Sequence, residues 1–342
     1  MLSAQDMVAT IDMGDVPLIT HKTLTHPSSF QHASASPPID QGSCGACFAI
    51  VAVQCIQDRM KQFDNVPTLS YQHVADCSKN CVSFRGMTGC SADCKGGFLA
   101  SSFEFARVRG VLPIHVYPIK LSGKGLMDIL SGTTYRTHCD RVRGGPRYHI
   151  EGLYRVTTEP RLFGVVNAKQ QAPLLTEVQH TRNCNNIKQE IYDNGPVAAC
   201  FNLYSDFIDF VMDGNEGVYK IGYKVKSQVV PPEGDPSWTK SSGPEGLHYK
   251  MGHAVSIIGW GVDDDTPFWL VRNSWGRGHG DYVKVWRGVN CSGIESDVQA
   301  PRVMAPHVSS IAPMVTSEAR PPPRVWMVVL VLAVVTLCAM RR

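Results

Sequence analysis

Apolar positions recur at helical spacing early in the chain and at strand spacing later. Over residues 48–61, Ile50, Val51, Val53, Ile56 and Met60 fall on one side of a helix, and residues 98–107 carry a second, shorter helical pattern. The runs 197–203, 254–260, 268–272 and 282–287 are short, rich in β-branched or aromatic residues and punctuated by Gly and Asn, so they predict strands. Helices ahead of strands predict an α+β fold with two lobes. Residues 121–182 show no steady period, and no internal repeat is present.

The pattern changes again at the C-terminus. Residues 303–324 hold Pro306, Pro313, Pro321, Pro322 and Pro323 and read as a linker. Residues 325–340 carry no charge and are bracketed by Arg324 and Arg341. As a helix this run reaches about 24 Å, near the lower limit for crossing a bilayer, so a single-pass C-terminal anchor in a lipid bilayer is expected. The expected division is therefore a short N-terminal segment (1–24), a globular domain (25–302), a linker (303–324) and a transmembrane helix (325–340).

Composition narrows the class. A chain of 342 residues, 43% hydrophobic and 18% charged, is globular and has enough apolar residues for two lobes. Its 33 basic and 30 acidic residues are interspersed, which excludes a nucleic-acid groove. The 12 cysteines point to an oxidising compartment. Asp6, Asp12 and Asp15 interrupt the N-terminus, where no apolar stretch has the length of a signal peptide. A tail anchor without a signal peptide places the domain in the cytosol, disulfides place it outside, and the side of the membrane stays open.

Candidate chemistry begins at QGSCGACFAI (residues 41–50), with two cysteines three apart. Such a pair can bind zinc, cycle as a dithiol, or combine a nucleophile with a structural thiol. Zinc needs further ligands, and the nearest cysteines, Cys77, Cys81, Cys90 and Cys94, form a grouping of their own. A redox pair needs a preceding strand within a βαβ pattern, which is absent. A nucleophile needs activation, because an ordinary thiol is mostly protonated at neutral pH. Cys47 sits where the helix begins, so unpaired N–H groups and the helix dipole favour its thiolate. His253 opens the later strand pattern GHAVSIIGWG, and Asn273 follows the next in RNSWG.

These three motifs, in this order, resemble those of the papain family (peptidase family C1) of cysteine proteases, and NGPVAACFNLYSDF and GIESDVQAPRV are most similar to its cathepsin B branch. The resemblance covers roughly residues 24–303 and is poor over 121–182. It implies a papain-like fold, with a helical left lobe and a β-barrel-like right lobe. The activity implied is that of a cysteine endopeptidase acting on polypeptide substrates through a thioester acyl-enzyme, as a monomer, with no cofactor and no metal. It implies Cys47 as nucleophile, His253 as its acid–base partner, Asn273 as the group orienting the imidazole, and Gln41 as an oxyanion donor with the Cys47 backbone N–H. Trp275 would shield the His253–Asn273 hydrogen bond, Gly96 and Gly97 would pair with an extended substrate, and Asp297 would lie at the floor of the pocket for the second residue before the scissile bond. The implied disulfides are Cys44–Cys94 and Cys77–Cys139, which leaves Cys81–Cys90 as a local pair. Cys55 and Cys200 are expected as buried thiols; Cys184 and Cys291 are unassigned.

The departures carry expectations of their own. Phe48 stands where the family has Trp, and His279 occupies the place of a second Trp on the leaving-group side. Among the histidines of residues 121–182, His138 and His149 included, no two are adjacent, so endopeptidase rather than carboxydipeptidase action is expected. About 25 residues precede the start that resembles a mature protease, too few for the family's long inhibitory propeptide, so control is expected from the compartment, the anchor or a partner. A short, tail-anchored protease of this kind would suit a large DNA virus. The competing expectation is a catalytically silent, membrane-anchored module that binds peptides or inhibitors on the same fold.

Overall fold

A computed structural model describes residues 10–21, 25–63, 65–84, 87–91, 93–119, 139, 144–158, 177–222, 249–276, 280–305 and 308–311. Residues 1–310 form one compact unit, and the second unit, from Ile311 onward, lies outside the described residues apart from Ile311 itself. The expected anchor at 325–340 and most of the linker therefore lie outside them. Among the described residues no helix is long and apolar enough to cross a membrane.

Two hydrophobic cores underlie the two lobes. The first gathers around the helix Cys47–Met60, with the helices Tyr71–Cys77 and Leu99–Arg109 packed against it. The expected amphipathic helix is in fact buried nearly all round, with Gln54, Asp58 and Arg59 among its buried residues. These polar side chains survive burial because each finds a partner beyond the helix. Asp58 pairs with Arg272 at 2.7 Å, Arg59 with Glu190 at 2.8 Å, and Gln54 donates to the Pro37 carbonyl at 2.8 Å. Both ion pairs tie this helix to the other lobe.

The second core lies on an eight-stranded sheet. Its pairing runs through Gly152–Arg155, Asp297–Arg302, Val197–Tyr204, Tyr249–Asp263, Thr266–Arg272, Tyr282–Trp286 and Val218–Tyr219, with Phe30–Gln31 added to the Tyr249–Asp263 strand. The barrel-like lobe is thus a sheet whose pairing follows an open path among the described residues. The strand expected at 254–260 is longer, Tyr249–Asp263, because both of its edges find partners over most of its length.

The helix Glu177–Asn194 was not foreseen. Its inward face mixes Ile187 and Ile191 with buried Asn183, Asn186, Gln189 and Glu190, so no apolar stripe marks it in the sequence. Asn183 and Asn186 donate to the carbonyls of Glu295 and Val156.

Candidate active site at the meeting of helix and sheet

Cys47 begins the Cys47–Met60 helix, and the turn before it is held from several sides. Cys44 is disulfide-bonded to Cys94, and the Gly45 N–H donates to the Cys94 carbonyl at 2.9 Å. A Cβ at Gly45 would meet that carbonyl oxygen at 2.7 Å, so the close approach requires glycine. Two further disulfides, Cys77–Cys139 and Cys81–Cys90, place all four sulfurs of the grouping once weighed for zinc in covalent bridges.

His253 reaches the helix from the sheet. It lies on the Tyr249–Asp263 strand opposite Phe201 and is 4% exposed. Asn273 immediately follows the neighbouring strand, and its Oδ1 lies 2.9 Å from His253 Nε2. An amide oxygen accepts, so Nε2 carries a proton and Nδ1 is left for the Cys47 sulfur. The imidazole packs between aromatic rings, Trp275 at 5.1 Å and Phe201 at 5.7 Å between centroids. Water is thereby kept from the His253–Asn273 bond.

The two titrating groups move toward each other. Burial raises the Cys47 thiol, but the hydrogen bond and charge of His253, with the backbone N–H groups of Ala254 and Phe48, outweigh it and leave Cys47 below the usual thiol value. Burial lowers His253, and its interactions with Cys47 and Asn273 reverse the sign and leave it raised. Each group therefore favours the charged form of the other.

Gln41 completes the mouth of the site. Its Nε2 donates to the Cys44 carbonyl at 2.8 Å, its Oε1 accepts from Ser274 Oγ at 2.5 Å, and its backbone N–H donates to the Ser274 carbonyl at 2.9 Å. The carboxamide is thus fixed at both its nitrogen and its oxygen.

A cavity on one side of the pair is lined by Cys47, Gly97, Cys200, His253, Asp297 and Gln299, with Met13 closing it from the N-terminal segment. Asp297 is 5% exposed and accepts from Gln299 Nε2 at 2.8 Å. Gly96 holds a φ of +107°, and a Cβ on Gly97 would meet the Phe48 ring and Ser91 Oγ at 2.6 Å. Cys200, expected as a simply buried thiol, instead faces this cavity and is partly exposed. Cys55, Cys184 and Cys291 are buried thiols that form no disulfide among the described residues. His279 lies outside the described residues.

The family model described as papain family cysteine protease matches residues 27–231 and 237–302. The chain belongs to the papain family of cysteine proteases. Within the family it is cathepsin B-like. It is 28% identical over 274 residues to a gut-specific cysteine proteinase of Caenorhabditis elegans, covering 76% of this chain and 67% of that one. It is also 28% identical over 272 residues to cathepsin B-like protease 1 of Arabidopsis thaliana, covering 76% of this chain and 56% of that protein. Procathepsin B S9 from Trypanosoma congolense has a similar structure, with a TM-score of 0.58 at 20% identity over 88% of each chain. Bromelain from Ananas comosus gives 0.51 at 22% identity, covering 82% of this chain and 100% of that one. The α+β architecture is thus papain-like.

Several residues that build this papain-family site escaped sequence reasoning. Ser274 orients Gln41, Phe201 backs the imidazole, and the fully buried Asp58–Arg272 pair ties the helix carrying Cys47 to the strand that delivers Asn273. Ser274 and Arg272 flank Asn273 in the chain, and that adjacency was the one available signal. Met13, from the segment 10–21, also lines the cavity, which sequence reasoning did not anticipate.

Proposed function

We propose that the chain is a cysteine endopeptidase that hydrolyses polypeptides at Cys47. The observation that carries this reading is the pairing of the partly exposed Cys47 with the buried His253, with the thiol lowered and the imidazole raised, the imidazole held by Asn273 at 2.9 Å. The Cys47 thiolate attacks the scissile carbonyl carbon and forms a C–S bond while the carbonyl oxygen takes up negative charge. Gln41 Nε2 and the Cys47 backbone N–H donate to that oxygen, each such donor being worth about 3 kcal/mol. His253 passes its proton to the departing amine, and the C–N bond breaks to leave a thioester. Water then attacks the thioester, losing its proton to His253, and the acid product departs as the thiolate returns.

Gly96 and Gly97 offer a backbone edge to an extended substrate. Asp297, buried beneath the cavity, supports acceptance of a basic side chain at the second position before the scissile bond. Endopeptidase action rests on the sequence of residues 121–182, which lacks the adjacent histidines that would hold a substrate carboxylate. The uncharged run 325–340 supports a membrane anchor, and loss of membrane association on its deletion tests that part.

The decisive experiment is intact mass after treatment with an irreversible epoxide inhibitor of papain-like proteases, wild type beside Cys47→Ala. A single adduct, lost in the variant, is expected. Folded wild-type protein that takes up no adduct refutes the peptidase and leaves a silent binding module on this fold.

A further inference from the structure

The cavity beside the catalytic pair holds a second thiol. Among the described residues, five cysteines lie outside disulfides, and of these Cys47 and Cys200 line the cavity while Cys55, Cys184 and Cys291 do not. One residue, Ala254, links the two positions. Its N–H donates to the Cys47 sulfur, and it is the register partner of Cys200 where the strand Val197–Tyr204 pairs with Tyr249–Asp263. Antiparallel partners stand about 4.5–5.5 Å apart between Cα atoms and turn their side chains to one face of the sheet. Cys47, Ala254 and Cys200 accordingly all pack against the first core.

The surroundings keep the two thiols in different states. On its other edge Cys200 faces Asp297 as register partner, and that carboxylate lines the same cavity. Burial, the Asp297 carboxylate and the charge of Cys47 hold the Cys200 thiol well above its ordinary value. Cys200 therefore keeps its proton while Cys47 supplies the thiolate, and it does not compete in peptide hydrolysis. Oxidation of Cys47 to a neutral sulfenic acid removes one of those three causes. The cavity measures about 40 Å³. A water needs about 10–15 Å³ of such space, so a peroxide, little larger than water, has room beside the thiolate.

We propose that Cys200 is a resolving thiol for Cys47, joining it in a disulfide once a peroxide has oxidised the nucleophile. This inference rests on the peptidase reading and adds its regulation. The Cys47 thiolate attacks one oxygen of hydrogen peroxide, the O–O bond breaks, and a sulfenic acid forms as hydroxide departs. The Cys200 sulfur then attacks the Cys47 sulfur. The S–O bond breaks as the S–S bond forms, and the Cys200 proton leaves with the oxygen as water. Peroxide gains two electrons, and the two sulfurs together lose the same two. The disulfide takes the nucleophile out of use and shields it from the irreversible sulfinic acid, and a thiol reductant returns both cysteines.

The test uses the full chain, wild type and Cys200→Ala, each compared with its own untreated activity on a fluorogenic dipeptide amide. After hydrogen peroxide the wild type should lose hydrolysis and regain it in dithiothreitol, at a concentration that leaves untreated activity unchanged. A digest of the oxidised wild type should contain a peptide linking Cys47 to Cys200. Cys200→Ala should lose hydrolysis without regaining it, with its Cys47 recovered as sulfinic or sulfonic acid. The peptide map does not depend on the variant. An oxidised wild type with no linked peptide, whether its Cys47 is a free thiol or a sulfinic acid, overturns the resolving role and leaves the peptidase standing. Equal recovery in the two forms overturns it as well. An untreated wild type that neither hydrolyses the substrate nor takes up iodoacetamide at Cys47 removes the peptidase reading and this inference with it.

Discussion

Replacing Asn273 by alanine removes the 2.9 Å hydrogen bond to a histidine that is 4% exposed and packed between Trp275 and Phe201. The bond matters most when His253 is an imidazolium, where a charged donor meets the amide oxygen. Such bonds contribute about 1.5–3 kcal/mol, so kcat/KM should fall roughly 10- to 150-fold. The pH profile supplies a sharper readout. Asn273 is one of the groups that raise His253, so its loss lowers that pKa and the imidazolium deprotonates earlier as pH rises. The acid limb follows formation of the thiolate and the alkaline limb follows loss of the His253 proton, so the alkaline limb alone should move, toward lower pH. The assay is kcat/KM for a fluorogenic peptide across the pH range, wild type against Asn273→Ala, with far-UV circular dichroism as a check on folding. A variant whose activity falls while its alkaline limb stays in place would refute the argument, because the loss would then come from displaced geometry.

Other expectations concern the frame around the site. Burial by itself raises the Glu190 carboxyl, but the charge of Arg59 and hydrogen bonds from His21, Tyr154 and Arg59 bring it down to about 2, from an ordinary 4.5. A lowered carboxylate stabilises the fold above its unfolded value and loses that contribution as pH falls toward 2. The contribution is about 3 kcal/mol at pH 6 and about 1 kcal/mol at pH 3. Urea unfolding of wild type and Glu190→Gln at the two pH values should show the gap shrinking, and a constant gap would contradict the linkage. The Cys44–Cys94 bridge closes a span of 50 residues, for which loop-closure entropy gives about 4 kcal/mol. A Cys44→Ser, Cys94→Ser chain should lose stability on that scale in denaturant titration, with Cys47 alkylation slowing as its turn loosens. Gly97→Ala forces a methyl against Phe48 and Ser91 at 2.6 Å, an overpacking cost of about 1–3 kcal/mol. Its Tm should drop and its kcat/KM with it, and a wild-type Tm would show that the glycine edge has more room than its geometry implies.

The chemistry-bearing residues were legible because each is marked by its neighbours in the chain. Cys47 follows a glycine-rich turn and opens an apolar helical run, His253 opens a strand pattern, and Asn273 ends the next. Local periodicity likewise foretold the Cys47–Met60 helix and four of the eight strands of the main sheet. It failed for Glu177–Asn194, whose inner face is largely polar and satisfied by carbonyls of other elements.

By itself, then, the sequence determined which residue types stand ready for thiol chemistry, and that helices and a sheet present them. Only the tertiary structure decided what those side chains meet. The Ser274–Gln41 and Asp58–Arg272 contacts join residues 233 and 214 positions apart, and Met13 reaches a pocket built from both lobes. A hydrophobic pattern reports which face of a segment turns inward, because burial acts on each side chain singly. It carries no record of the partner across the interface, since many partners satisfy the same burial. The ion pair that ties helix to strand, the serine that aims an amide and the methionine that lines the cavity follow from the three-dimensional packing alone.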